Sequence, residues 1–278
     1  MDSRQAILSR IRTSLKVGAG NTERAEIVAR RLIERPQGII PKRGQLPADE
    51  RLALFIAMAE KYNATTERLA SRETLPQSVA EYLKQRNLPA SIRIGADHRI
   101  VNLPWQSAGA LEILNGASDG NDLVAVSHAL GGIAETGTLC VLSGPDNPVT
   151  LNFLPDHHIV VVEAAAIVGD MESLWANLRK AQGETMPRTV NMITGPSRSA
   201  DIEQTLLLGA HGPRALHIVI VGTTAGALAK VPGRKGSGPS RKFHLKSETI
   251  SDPVRYYSRF LRTKFSEGGD YGTSNGSA

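Results

Sequence analysis

Near the start of the chain Ile7, Leu8, Ile11 and Leu15 recur at helical spacing, with Arg4, Arg10, Arg12 and Lys16 on the remaining face. This pattern predicts an amphipathic helix. It admits two readings: a targeting segment, or a helix that packs on another surface or forms a dimer contact. The acidic Asp2 and the short span favour the second. Pro36 to Pro47 holds three prolines and two glycines around Lys42-Arg43, the composition of a linker. Residues 1–47 are therefore expected to form a helical and linker arm. Two further helical patterns follow, at Asp49–Lys61 and Leu75–Gln85, with Thr74 as the N-cap of the second.

From about residue 91 the pattern changes to short β-rich runs. The expected strands are Ser91–Ile94, Leu123–Val126, Gly137–Leu142, His158–Glu163, Thr189–Ile193 and Ala215–Val221. Their interiors are continuously apolar, as in sheets covered on both faces. Helical patterns at Met171–Ala181 and Ser199–Leu208 sit between the later strands. Such alternation predicts an α/β domain over residues 48–221, with a substantially parallel sheet flanked by helices. Beyond Val221 the chain turns Gly-, Ser- and Lys-rich, and residues 222–278 are expected to be a basic, disordered tail with a short helix at Pro253–Lys264.

Composition sharpens this picture. Aromatic residues are 4% of the chain, so aliphatic side chains must build the core. No apolar run approaches the ~20 residues that cross a bilayer, and no secretory pattern opens the chain, so a cytoplasmic protein without a membrane span is expected. One cysteine, Cys140, excludes an intrachain disulfide and any all-cysteine zinc or iron–sulfur site. Ten Lys/Arg against four Asp/Glu follow Val221 and account for the whole net charge of +6, and the preceding body is balanced. A nucleic-acid reading would rest on that tail alone, where aromatics form no recognisable module, and it is disfavoured.

Three segments can carry chemistry. Gly131 to Thr138 places Glu135, the hydroxyls of Thr136 and Thr138, and three glycines within eight residues. Glycines let backbone approach a ligand, and Glu135 can act as base or nucleophile; the alternative is a plain turn with a solvated carboxylate. The second segment, Thr194 to Glu203, joins a strand to the expected helix. Ser197 and Arg198 offer donors there, while Asp201 and Glu203 in the first turn oppose a highly charged phosphate. Ser199 as a simple N-cap is the competing reading. The third, His211-Gly212-Pro213-Arg214, is a turn whose histidine is either structural or a ligand contact. His157 and His158 are adjacent on a strand, so they point to opposite faces and do not share a metal. No P-loop or dinucleotide fingerprint occurs.

Gly195-Pro196-Ser197-Arg198-Ser199-Ala200-Asp201-Ile202-Glu203, followed by His211-Gly212-Pro213 before the last hydrophobic strand, resembles the signature of the LUD domain. That domain defines the lactate-utilisation protein C family (LutC/YkgG). Ala134-Glu135-Thr136-Gly137-Thr138 and Leu154-Pro155-Asp156-His157-His158 match its other hallmarks. Ser199 stands where many members have threonine, and the tail is longer than the family requires. The resemblance implies a NagB/RpiA/CoA-transferase-like fold and a part in oxidising L-lactate to pyruvate with two iron–sulfur partner proteins. Nothing in this chain can accept two electrons, so an accessory subunit is expected, with the clusters on its partners and no cofactor bound through a recognisable motif.

The site expected from these segments has Glu135 as the catalytic residue. Thr136, Gly137, Thr138, Ser197, Arg198, Asp201 and His211 would bind a small hydroxy acid or carboxylate. Both segments follow strands of one sheet and would meet at its carboxyl edge, with Arg198 and the hydroxyls on the carboxylate. No metal ligands are expected, and a homo-oligomer is an open alternative. The competing function is a stand-alone enzyme of the same fold acting on a small phosphorylated or carboxylated metabolite.

Overall fold

The computed structural model describes residues 2–16, 22–183, 186–199, 207–209 and 211–223. Helices α1 (Ser3–Ser14), α2 (Thr22–Glu34) and α3 (Ala48–Lys61) precede strand β1 (Thr65–Leu69) and helix α4 (Leu75–Gln85). Strand β2 (Ser91–Ile94), the single turn α5 (His98–Val101), β3 (Glu112–Asn115), β4 (Val124–His128), β5 (Gly131–Ile133) and β6 (Thr138–Leu142) follow. Then come β7 (His157–Glu163), β8 (Ile167–Val168), α6 (Met171–Gln182), β9 (Val190–Ile193), β10 (Arg198–Ser199), β11 (Leu207–Leu208) and β12 (Ala215–Val221).

Six strands make one sheet in the order β1-β12-β7-β4-β2-β3, and every pairing is parallel. β7 is central, and Ile159, Val160, Val161 and Val162 are buried on both of its faces. On one face Val160, Val162, Ile218 and Ile220 pack against Phe55 and Ala59 of α3 and Leu139 of β6. On the other, Ile159, Val161 and Val219 meet Leu75, Val79 and Leu83 of α4. A parallel strand covered in this way must be apolar at consecutive positions, which is the pattern the sequence carries.

The expected single sheet is in fact two. Gly137–Leu142 and Thr189–Ile193 do not join the parallel sheet. As β6 and β9 they belong to a mixed four-stranded sheet ordered β8-β5-β6-β9, in which β6 is antiparallel to both neighbours. Its second face packs Ile133 and Cys140 on Leu174 of α6, so β6 too is buried on both sides. The helix expected at Ser199–Leu208 also gives way at its ends. Arg198–Ser199 and Leu207–Leu208 pair as an antiparallel ribbon, and the residues between lie outside the described set. The tail helix expected at Pro253–Lys264 lies outside it as well.

The linker before α3 is not merely a spacer. Gly44 is buried against the backbone of Gly169, and Gln45 donates to Asp170 Oδ2 at 2.7 Å. By contrast, α1 and α2 bury no residue.

Candidate functional site

Glu135, Thr136 and Gly137 form the hairpin turn between β5 and β6. Gly137 has φ +65°, and a Cβ there would lie 2.3 Å from the Ala59 amide nitrogen, so only glycine fits. Gly195, after β9, has φ +69° and would place a Cβ 2.1 Å from the Tyr62 carbonyl oxygen. Both motifs thus close on the end of α3. β5 and β9 run in the same direction on either side of β6, so the turns that follow them lie at one end of the small sheet. A chain of hydroxyls ties them together: Thr136 Oγ1 is 2.8 Å from Thr138 Oγ1, which is 2.7 Å from Thr194 Oγ1.

Ser197 anchors the third motif. Its amide donates to the Pro213 carbonyl at 2.8 Å, and its hydroxyl oxygen accepts from the His211 amide at 3.3 Å. The two loops so joined line a cavity of about 240 Å³, which reaches Thr194, Ser197, His211, Asn152, Phe153 and His158. Asn152 closes a short turn, Val149–Asn152, and is 2% exposed; His158, at the start of β7, is fully buried. Among the described residues, Asn152 Nδ2 and Oδ1 and His158 Nδ1 have no hydrogen-bond partner. His158 Nε2 is 2.6 Å from the Ser127 hydroxyl.

Leaving a buried polar group unmatched costs about 1–3 kcal/mol, so three such atoms on one cavity mark a place where a partner is missing. Burial drives the His158 pKa down to about 3, so the ring is neutral at ordinary pH. Among the described residues no Lys, Arg, Asp or Glu lines the cavity. The wall therefore offers neutral donors and acceptors to a ligand of a few heavy atoms, and nothing to balance a polyphosphate.

The other expected site residues are placed differently. Glu135 is buried and accepts from Arg43 Nε of the linker at 3.1 Å, so its charge is already matched. Arg198 donates its guanidinium to the Tyr62 carbonyl at the end of α3, where it satisfies a helix terminus rather than facing the cavity. Asp201 lies outside the described residues. His157 and His158 do point apart: His157 Nδ1 lies 3.0 Å from the Tyr82 hydroxyl on the opposite face. Cys140 is buried and its thiol is pushed up to about 11, which makes it a core residue and not a nucleophile. Among the described residues no group of three or more His, Cys, Asp or Glu is placed to hold a metal, and no helix is long and apolar enough to cross a membrane.

Asn152 was not among the residues expected from sequence. Nothing local distinguishes it, and only the fold brings it to the cavity wall. His158 lay inside a motif already noted, but as one of two strand histidines considered for a metal.

An α/β chain built on this parallel sheet, with its Ser197 and His211 loops lining a small cavity, matches the model of one family, the LUD domain, over residues 52–221. The chain belongs to that family. It is 40% identical over 91 residues to lactate utilization protein C of Halalkalibacterium halodurans, a match covering 32% of this chain and 40% of that protein. It is 28% identical over 192 residues to YkgG of Escherichia coli, covering 63% of this chain and 82% of the relative. A solved structure of a DUF162 family protein from Deinococcus radiodurans aligns with a TM-score of 0.49 and 24% identity, covering 64% of this chain and 99% of that one. The chain thus spans less than half the length of the Halalkalibacterium relative.

Proposed function

We propose that this protein is an accessory component of L-lactate oxidation to pyruvate, acting with two iron–sulfur partner proteins and contributing the small-carboxylate site. The observation that carries the reading is the set of unpartnered groups, Asn152 and His158, on the cavity that Ser197 and His211 line. A 2-hydroxy acid presents carboxylate acceptors and one hydroxyl donor. Asn152 Nδ2–H and the Ser197 hydroxyl suit the first, and Asn152 Oδ1 or an unprotonated His158 Nδ1 suits the second. Two electrons leave lactate in this reaction, and they go to the partners' clusters.

In this reading residues 48–221 are the LUD α/β domain, related in fold to the NagB/RpiA/CoA-transferase group, with residues 1–47 as an arm and 222–278 as a basic tail. Thr136, Gly137 and Thr138 shape the wall through Thr194. Glu135 serves as a base only after Arg43 withdraws from it, which gives the arm a role beside the site. Of the competing stand-alone enzyme for a phosphorylated or carboxylated metabolite, the phosphorylated form is disfavoured because no Lys or Arg among the described residues lines the cavity.

The test is reconstitution: the full chain, its two partners, L-lactate and an artificial dye. Dye reduction is expected only with all three proteins, and Asn152→Leu should remove most of it without lowering the melting temperature. Robust turnover by the isolated chain, or full activity of the variant, would overturn the proposal.

A further inference from the structure

The opposite face of the parallel sheet carries a second cavity that the lactate reading does not use. It measures about 380 Å³ and lies between the edge strand β1 and helix α4. Thr65, Glu67, Glu81, Tyr82, Arg86 and His217 define its chemistry. His217 is 7% exposed and its ring is held firmly: Tyr82 stacks on it with centroids 4.5 Å apart, and the Arg86 guanidinium sits 4.0 Å over the Tyr82 ring.

Thr65 Oγ1 lies 2.8 Å from His217 Nδ1 and 3.5 Å from the Leu216 carbonyl, so the hydroxyl can donate to the carbonyl while accepting from Nδ1. In that tautomer Nδ1 carries the proton. Nε2 is left as a bare acceptor with no hydrogen-bond partner among the described residues. Glu67 Oε2 lies 3.5 Å from it and itself accepts from Ser78 Oγ at 2.7 Å. In that tautomer two acceptors face each other, and Ser78 serves Glu67 alone. Glu67, with its side chain 39% exposed, is the movable member of the pair, and Glu81 adds a second carboxylate to the same wall.

We propose that this cavity binds a primary ammonium group, whose N–H donors bridge Glu67, His217 Nε2 and Glu81. Three donors on one cation match three acceptors, and the lining's charge of two carboxylates against Arg86 leaves one negative charge to neutralise. A protonated His217 would close the gap without a ligand, but burial and Arg86 lower its pKa while Glu67 and Thr65 raise it, and burial is the largest influence. The acceptor set does not suit an anion, which separates this cavity from the neutral one across the sheet.

The experiment is a titration of the full chain with ethylamine, followed by the ¹⁵N resonances of histidine at neutral pH. The unliganded protein should show His217 neutral with its proton on Nδ1. Ethylamine should shift Nε2 saturably, while tetramethylammonium, a cation without N–H donors, should bind at least tenfold more weakly. Glu67→Gln and Glu81→Gln, both at accessible positions, should each weaken ethylamine at least tenfold with an unchanged melting curve. A doubly protonated His217, no shift with ethylamine, equal binding of tetramethylammonium, or variants that bind normally would each overturn the proposal.

Discussion

His158 and His217 sit on adjacent strands, with His158 registered against Leu216 and His217 against Ile159, and the pleat turns them to opposite faces of one sheet. Each lines a cavity with one ring nitrogen that has no hydrogen-bond partner among the described residues. Their surroundings differ in charge. His158 has the Ser127 hydroxyl and the Asn152 amide near it, all neutral, whereas His217 has Glu67, Glu81 and Arg86 within its cavity. The same side chain therefore prepares one wall for a small neutral or monoanionic ligand and the other for a cation. At the carboxyl edge of the sheet, the place where ligands are usually sought in open α/β folds, the charged groups pair with one another: Arg72 with Glu163, and Arg99 with both oxygens of Asp97. The buried His128 beside them has Nε2 3.5 Å from Glu163 and neither ring nitrogen hydrogen-bonded among the described residues.

Acid should separate the two histidines most strongly. The folded pKa of His158, about 3, lies below the ordinary 6.5, so the unfolded chain binds the extra proton between these values. Stability from its burial is complete above pH 6.5 and is lost as pH falls toward 3, with a slope approaching about 1.4 kcal/mol per pH unit. His158→Gln should flatten this slope in denaturant titrations at several pH values. His217 is lowered too, so acid works against it in the same direction, but Glu67 opposes the shift and His217→Gln should change the slope less.

The junction that builds the neutral cavity comes next. Gly137→Ala forces a Cβ against backbone at positive φ, and a loss of about 2–4 kcal/mol is expected in chemical unfolding. A loss below about 0.5 kcal/mol would mean that this turn does not fix the site. Asn152→Leu goes the other way. Replacing an unsatisfied buried amide by an apolar side chain of similar size should raise stability by about 1–3 kcal/mol while removing ligand binding. If it destabilises instead, the amide has a structural partner. The smallest effect belongs to Arg198→Gln. The arginine is exposed and bonded to a helix-end carbonyl, so a loss of about 0.5–1 kcal/mol is expected, with ligand affinity unchanged.

Much of the fold was legible because burial writes itself into the chain. The expected Ser91–Ile94, Leu75–Gln85 and Ala215–Val221 coincide with β2, α4 and β12. β1 was missed because an edge strand reads Thr-Thr-Glu-Arg-Leu, with polar residues on its open side. β6 was assigned to the wrong sheet because Leu139 and Val141 face one core and Cys140 another, which gives it the same unbroken apolar run as a parallel strand. Of the site, Ser197, His211 and the Thr136–Thr138 hydroxyls were visible as motifs, and the structure brings them to one end of the small sheet. Glu135 and Arg198 looked equally chemical in sequence, but Arg43 and the Tyr62 carbonyl, the groups they bond, lie 92 and 136 residues away. Asn152 was invisible because its importance lies in lacking a partner, which only three dimensions reveal.

The most direct measurement is a titration of the isolated full chain with ¹³C-labelled L-lactate and pyruvate, read by NMR and repeated for Asn152→Leu and Glu67→Gln. The account predicts saturable binding of at least one of these acids, lost in Asn152→Leu and untouched in Glu67→Gln. Binding that survives Asn152→Leu in a folded protein, or no binding of either acid to the wild-type chain, would contradict it.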